Sequence, residues 1–159
     1  MTFIEKFNEQ VNFELESAYI YRTMAIYMAD QDLDGFEAFF DAQVREEVMH
    51  ADDFKNTLLR VGETVKYRPL DPGNGEFESI LDVFKKALAH EKVVTGKIRE
   101  LYEESLNEEN KYFTVFLQKY LDEQVEEEET FTKLVTQLER VDGNWAGIYQ
   151  MNAFIGNRQ

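Results

Sequence analysis

Apolar residues recur three and four positions apart over four long stretches of the chain, which is the period of an amphipathic helix. Three residue pairs have the spacing of a helix cap and its partner, namely Thr2 with Glu5, Asp34 with Glu37, and Ser79 with Asp82. The chain holds only 8 Gly and 2 Pro, so long uninterrupted helices are the economical interpretation. The pattern predicts an all-α protein, with helices at about 2–30, 34–61, 79–106 and 110–141 and a short fifth helix at 144–155.

The stretch 62–78 holds both prolines and the turn-forming run DPGNG, so it cannot continue a helix. A linker of this length can span about 56 Å, whereas a helix of about 28 residues is about 42 Å long. The linker can therefore cross the whole molecule, and the second and third helices then run parallel. These features predict a four-helix bundle with one long crossover, as a single domain over 1–159.

The composition is strongly acidic, with 32 Asp and Glu against 17 Lys and Arg, and a formal net charge of -15. Such a charge repels nucleic acid and anionic lipid surfaces, and it attracts cations. The chain has no cysteine, and MTFIEKFNEQ lacks a basic region followed by an apolar one. No apolar stretch is long enough for a membrane span. We therefore expect a cytoplasmic protein with neither nucleic acid nor membrane as a partner.

Each of the four apolar stripes is interrupted near the middle of its helix. The interruptions are Glu14, then Glu47 with His50, then Glu91, then Gln124 with Glu127. Groups at mid-helix meet at one level of a bundle, whichever way the helices run. Buried carboxylates are costly unless they are protonated, paired or bound to metal, and no Lys or Arg occupies a stripe position. Taken alone, Glu91 would be read as an ion-paired or surface residue, but four coincident interruptions favour bound cations.

The chemical types of these ligands restrict which metal ion is expected. Oxygen ligands with one nitrogen suit iron or manganese better than copper or tetrahedral zinc.

Since the carboxylates repel one another, removing Glu91 is expected not to destabilise the metal-free protein. Tyr21 lies two turns from Glu14, where it is either a core tyrosine or a donor to a ligand carboxylate. His90 falls one residue off the stripe and is predicted to steer Glu91 without binding metal.

The runs NEQVNFELESAYIY, VREEVMH, AHEK and LDEQVEEEE closely resemble the non-haem bacterial ferritins over essentially the whole chain. The resemblance implies a di-iron site, in which Glu14, Glu47 and His50 hold one iron, and Glu47, Glu91 and Glu127 hold the other. Gln124 lies beside the second iron, and Tyr21 matches the family's site tyrosine. A third, outer iron site is implied at Glu46, Glu123, Glu126 and Glu127. The implied function is iron storage in a 24-subunit homo-oligomeric shell, after oxidation of Fe(II) by O2 or H2O2.

Some positions depart from related families. Bacterioferritins bind haem through a methionine directly after the bridging Glu, and here that residue is Val48, so no haem is expected. Their second Glu-x-x-His motif is replaced by the run from Gln124 to Glu127. The acidic pair that lines a pore in animal ferritins is replaced by Thr114 and Leu117, which leaves the iron entry route open.

The acidic run 126–129 has two interpretations. Glu123, Glu126 and Glu127 share one helix face with i, i+3 and i+4 spacing, whereas Glu128 and Glu129 are predicted to be solvated.

Three other functions are weaker alternatives: a di-iron oxidase or peroxidase without storage, a DNA-protecting miniature ferritin, and a structural bundle with an acidic surface. The first needs an apolar pocket beside the metals, and the second a basic tail.

Overall fold

A computed structural model describes residues 1–156, and these fold into five helices without a strand. The helices are α1 (Phe3–Asp30), α2 (Asp34–Arg60), α3 (Ile80–Ser105), α4 (Tyr112–Val141) and α5 (Trp145–Gly156). The all-α class is therefore confirmed, with four long helices and a short C-terminal one. Among these residues, no helix is both long and apolar enough to cross a membrane.

The predicted caps are present on α1 and α3. Thr2 Oγ1 accepts from the backbone N–H of Glu5 at 3.2 Å, and the Glu5 carboxylate accepts from the N–H of Thr2 at 2.7 Å. Ser79 Oγ accepts from the N–H of Asp82 at 3.0 Å. Each cap satisfies N–H groups that the first turn of a helix leaves without a partner.

The predicted cap of α2 is wrong. The residue that precedes the helix is Leu33, which provides no side-chain hydrogen bond, and Asp34 is already helical. The Phe36 N–H donates instead to Asn152 Oδ1 in α5, at 2.9 Å. A Cβ at Gly35 would lie 1.9 Å from the Asn152 carbonyl oxygen, so glycine allows this close approach of α5. A residue distant in sequence therefore completes the start of α2.

The crossover between α2 and α3 lies along α1. Near its start, the Lys66 carbonyl accepts from Asn8 Nδ2 at 2.9 Å, and near its end Gly75 lies beside Thr23. Between them, the Arg68 guanidinium binds carboxylates of α1. The segment thus returns the chain toward the end of α1, where α2 also begins, so α2 and α3 run in the same direction. This is the predicted crossover topology.

The apolar core has two parts, separated by a polar layer. One part includes Phe36, Phe84 and Phe131, and the other includes Phe7 and Phe54. Along each long helix, residues of the two parts are separated by the polar residues near its middle. Because both parts are closely packed and apolar, they confine the polar side chains to one level and exclude water from them.

Candidate metal centre

One corner of the polar layer brings together three potential metal ligands. Glu47 and His50 come from successive turns of α2, and Glu14 from the facing helix α1. His50 Nδ1 lies 3.4 Å from Glu47 Oε2 and 3.9 Å from Glu14 Oε2. All three are buried, with ligand atoms within 4.8 Å of one another, and residues 1–156 contain no other group of three or more that is this close. We call these three residues the α1–α2 corner.

The α1–α2 corner has oxygens without a partner. Glu14 Oε1 accepts from Gln10 Nε2 at 2.7 Å, but Glu14 Oε2 and Glu47 Oε2 are buried and accept no hydrogen bond. Burial, followed by the charge of Glu47, raises the pKa of Glu14 well above its usual value, and burial also raises that of Glu47. A charged carboxylate is unfavourable here unless it is protonated, paired or bound to a cation, so this cluster could hold a metal ion.

A second corner of the layer lies between α3 and α4, where both oxygens of a buried carboxylate accept hydrogen bonds. The Tyr21 hydroxyl donates to Glu91 Oε1, and Gln124 Nε2 donates to Glu91 Oε2 at 3.0 Å. Burial raises the pKa of Glu91, and these two hydrogen bonds oppose that shift. Of the two interpretations of Tyr21, the structure supports the donor to a predicted ligand carboxylate. We call Glu91 and Gln124 the α3–α4 corner.

Glu127 lies half-buried beside this corner. Burial and the charge of Glu91 raise the pKa of Glu127 to about 8. Gln43 Nε2 is 3.4 Å from Glu127 Oε2. Gln43 lies four residues before Glu47 and so on the same helix face, which is the only signal of this contact in the sequence. In residues 1–156, the trio of Glu47, Glu91 and Glu127 is not drawn together as closely as the α1–α2 corner.

The four predicted outer ligands are spread along α2 and α4. Glu123 Oε2 lies 3.3 Å from His50 Nε2, and Glu46 Oε1 lies 3.9 Å from the same nitrogen. Although burial opposes it, the contact with the Glu123 carboxylate raises the pKa of His50, and the same contact lowers the pKa of Glu123. Glu126 is exposed and lines a cavity of about 360 Å³ between α4 and α5. In the described part of the chain, these carboxylates and Glu127 do not form a compact cluster.

Two residues near the site differ from expectation. His90 Nε2 lies 2.7 Å from Ser17 Oγ, and the ring stacks on Phe13, so it contacts α1 and makes no hydrogen bond to Glu91. Burial lowers the pKa of His90 to about 4. The prediction that Glu128 is solvated is wrong, because its Oε2 accepts from Thr95 Oγ1 at 2.7 Å. These contacts depend on how neighbouring helices are rotated, which helical periodicity does not specify.

Comparison with known proteins identifies the family of this chain. The family described as ferritin-like domain matches residues 4–141. This chain belongs to the ferritin family. It is 34% identical over 146 residues to a bacterial non-heme ferritin of Staphylococcus haemolyticus, covering 92% of this chain and 88% of that protein. The corresponding protein of Staphylococcus aureus strain MRSA252 is 33% identical over 156 residues, which cover 98% and 93%. The predicted family membership is therefore confirmed.

Solved ferritin structures share the fold at similar sequence identity. An open pore ferritin from the archaeon Archaeoglobus fulgidus superposes with a TM-score of 0.95 at 32% identity, covering 99% of this chain and 97% of that one. A structure described as a humanized archaeal ferritin gives a TM-score of 0.96 at 31% identity, covering 99% and 96%. The five-helix arrangement of this ferritin is thus that of the family over nearly its whole length.

Proposed function

We propose that this ferritin is a ferroxidase that oxidises Fe(II) to Fe(III) and stores the ferric product as an oxyhydroxide inside a hollow homo-oligomeric shell. The observation that carries this proposal is a pair of buried oxygens that accept no hydrogen bond, Glu14 Oε2 and Glu47 Oε2, with His50 Nδ1 beside them. No Lys or Arg in residues 1–156 forms an ion pair with these carboxylates. Cations are the partners that satisfy them.

Two Fe(II) ions are the substrate, and they bind in the polar layer between the two parts of the apolar core. The first is held by Glu14, Glu47 and His50, and the second by Glu47, Glu91 and Glu127, so that Glu47 bridges them. Gln124 lies beside the second ion, where it donates to Glu91. Carboxylate oxygen is a hard ligand that favours the more highly charged Fe(III), so the same residues that bind the substrate also favour its oxidation.

The pairing of two ions is what makes the oxidation efficient. Each Fe(II) gives up one electron, and the two electrons together with two protons convert O2 to H2O2, or H2O2 to two molecules of water. A single Fe(II) supplies only half of the electrons that either oxidant needs. The protein contributes the position and charge of its ligands, and it has no need of a nucleophile or a separate acid.

We propose that the shell contains 24 subunits. The support in this chain is the apolar surface of α5, where the side chains of Trp145, Tyr149 and Phe154 are exposed, the last by 71%. Large apolar side chains grouped on one short helix are typical of a surface that another subunit covers. Light scattering at neutral pH tests this point, and a population of monomers or dimers alone would contradict it.

The outer residues Glu46, Glu123, Glu126 and Glu127 are proposed to bind a third iron, more weakly than the first site because only oxygen is offered. Glu126→Ala should retain the fast first oxidation and change the oxygen consumed per iron in later turnovers. Abolition of the fast phase would contradict this role.

Val48 stands where haem-binding relatives have methionine, so the proposed function uses no haem. The cytoplasmic location stays a prediction.

The decisive experiment is an anaerobic titration with Fe(II), followed by a pulse of oxygen. We expect tight binding of about two Fe(II) per subunit and a fast oxidation of that same amount, with slower accumulation of ferric iron on further additions. Glu103→Ala, which removes an exposed acid from α3, is the control for the loss of one negative charge in Glu126→Ala. A wild-type protein that shows no saturable Fe(II) binding would overturn the proposed function.

A further inference from the structure

The amide of Gln124 belongs to a chain of hydrogen bonds that begins at Glu128. Thr95 Oγ1 donates to Glu128 Oε2 at 2.7 Å. Gln124 Nε2 donates to Thr95 Oγ1 at 3.2 Å and to Glu91 Oε2 at 3.0 Å. Thr95 and Gln124 are buried, and Glu128 is half-buried at the outer end of the chain. Glu128 is therefore linked to Glu91 through two intervening side chains, and its carboxylate makes no direct hydrogen bond to the side chain of a proposed metal ligand.

The direction of this chain follows from the hydroxyl of Thr95, which has one hydrogen to donate. Its two acceptors are the Glu128 carboxylate at 2.7 Å and the backbone carbonyl of Glu91 at 3.0 Å. A carboxylate is the stronger acceptor, and here it is also the closer one. With its hydrogen directed to Glu128, Thr95 presents lone pairs to Gln124, so it can only accept from that amide.

The amide of Gln124 must consequently turn its NH2 end toward Thr95 and Glu91. If Thr95 donated to Gln124 instead, the amide would turn over and place its oxygen against the Glu91 carboxylate, where two acceptors repel. A hydroxyl that donates to a carboxylate is also polarised into a better acceptor. Both effects hold the Glu91 carboxylate in one orientation.

We propose that Glu128 is a positioning residue for the second Fe(II), acting through Thr95 and Gln124 to orient the Glu91 carboxylate. This inference rests on the proposed function, because it concerns the second of the two ions assigned there. It makes an asymmetric prediction. The α1–α2 corner has no hydrogen bond to Glu128, Thr95 or Gln124. The loss of Glu128 should therefore weaken the binding of the second ion and leave the binding of the first unchanged.

The test uses Zn²⁺, which binds without redox chemistry, in calorimetric titrations of the assembled protein. Removal of residues that orient a metal ligand commonly weakens affinity 10- to 100-fold, and we expect about 10-fold for the second ion in Glu128→Ala. Binding of the first ion should change less than about twofold. Glu129→Ala is the matched control, since it removes the next acid of the same helix, which is exposed and lines the cavity between α4 and α5.

Two further variants separate orientation from charge and from folding. Glu128→Gln keeps a side-chain oxygen that can accept from Thr95, so it should restore most of the second-ion affinity. Thr95→Val removes the hydroxyl with little change in shape and should reproduce the effect of Glu128→Ala. The double variant Thr95→Val with Glu128→Ala should be no weaker than Thr95→Val alone, because both changes break one chain.

The outcomes distinguish this inference from the proposed function. Equal weakening of both ions in Glu128→Ala, no weakening of the second, or the same loss in Glu129→Ala would overturn the positioning role. Additive losses in the double variant would also overturn it. A wild-type protein that binds fewer than two ions per subunit would instead contradict the proposed function. If Glu128→Ala fails to fold, Glu128→Gln and Thr95→Val decide the question by the same asymmetry.

Discussion

The two corners of the polar layer are equally buried but are satisfied in opposite ways. In the α1–α2 corner, one oxygen each of Glu14 and Glu47 has no hydrogen-bond partner. In the α3–α4 corner, both oxygens of Glu91 accept hydrogen bonds, one from Tyr21 and one from Gln124. The same residue type, at the same level of one bundle, is thus left incomplete in one corner and completed by the protein in the other.

The difference separates two strategies for binding a cation. In the metal-free protein, ionised carboxylates are electrostatically unfavourable in the α1–α2 corner, since burial and the nearby charge of Glu47 raise the pKa of Glu14. A cation relieves that cost directly, so part of its binding free energy comes from the relief. In the α3–α4 corner, an ionised carboxylate is less unfavourable, because hydrogen-bond donors stabilise Glu91 before a metal ion binds. Its contribution is a ligand held in a fixed orientation.

The largest expected effect comes from removing the residue shared by both proposed ions. Glu47→Ala should slow the fast oxidation phase at least about 100-fold, because the two ions would lose their bridge and the pairing on which two-electron transfer depends. Stopped-flow absorbance after an oxygen pulse measures this rate. Glu103→Ala should keep the wild-type rate, and a wild-type rate in Glu47→Ala would exclude Glu47 as the bridge.

The stability of the metal-free protein distinguishes the corners next. Glu91→Ala leaves the Tyr21 hydroxyl without its acceptor and removes one acceptor of the Gln124 amide, which still donates to Thr95. It should lower the free energy of unfolding by about 1–3 kcal/mol. Glu47→Ala removes an unpaired carboxylate from a repulsive site and should cost less, or even stabilise. Denaturant unfolding of both variants in chelator measures the difference. A smaller loss in Glu91→Ala than in Glu47→Ala would contradict the comparison.

This second prediction reverses an expectation drawn from sequence. The sequence pattern correctly indicates that Glu91 is buried, since a carboxylate at a stripe position faces the core. From that pattern alone, its removal is expected not to destabilise the metal-free protein. The donors Tyr21 and Gln124 change the sign, because each of them loses a partner with Glu91. Burial can be predicted from periodicity, whereas hydrogen-bond satisfaction depends on side chains of other helices.

The same division applies to the fold. The caps at Thr2 and Ser79 were predictable because each uses a partner three residues away. The cap of α2 was not, because Asn152 of α5 supplies it from the far end of the chain. The link from Glu128 to Thr95 likewise joins α4 to α3. Local sequence thus predicted the helices, their mid-level polar residues and the family, but not the contacts that complete them.

The pH dependence of the metal-free protein should reflect the incomplete corner. The folded pKa values of Glu14 and Glu47 are raised by burial, and that of Glu127 is raised to about 8. A carboxyl with a raised pKa is most favourable to folding below its unfolded pKa, and its contribution is lost as the pH rises through its folded value. We therefore expect the unfolding temperature to fall from about pH 5 to pH 8.

The matched variant for this pH effect is Glu47→Gln, which keeps the shape and removes the titration. Its unfolding temperature should fall less between pH 5 and pH 8 than that of the wild-type protein, because one buried carboxyl with a raised pKa no longer titrates. Scanning calorimetry in chelator at several pH values measures it. An equal slope in both proteins would show that Glu47 does not titrate in this range and would weaken the account of the α1–α2 corner.

The smallest expected effect comes from converting one corner toward the other. Tyr21→Phe removes one of the two donors to Glu91 and leaves an oxygen without a partner, as at Glu14. The ring should remain in place, because it is buried and stacks parallel to Phe131 with centroids 6.1 Å apart. The free energy of unfolding of the metal-free protein should fall by about 0.5–1.5 kcal/mol, the usual net value of one hydrogen bond.

The metal-loaded Tyr21→Phe protein should differ less from wild type than the metal-free protein does, because a cation can then satisfy the oxygen that Tyr21 leaves. Binding of the second Zn²⁺ should change less than about threefold, and the fast oxidation of Fe(II) should persist. Calorimetric titration and stopped flow on the same preparation measure both. Loss of the fast phase with intact Zn²⁺ binding would show that the Tyr21 hydroxyl takes part in the oxidation itself, and its role as a donor to Glu91 would then be insufficient.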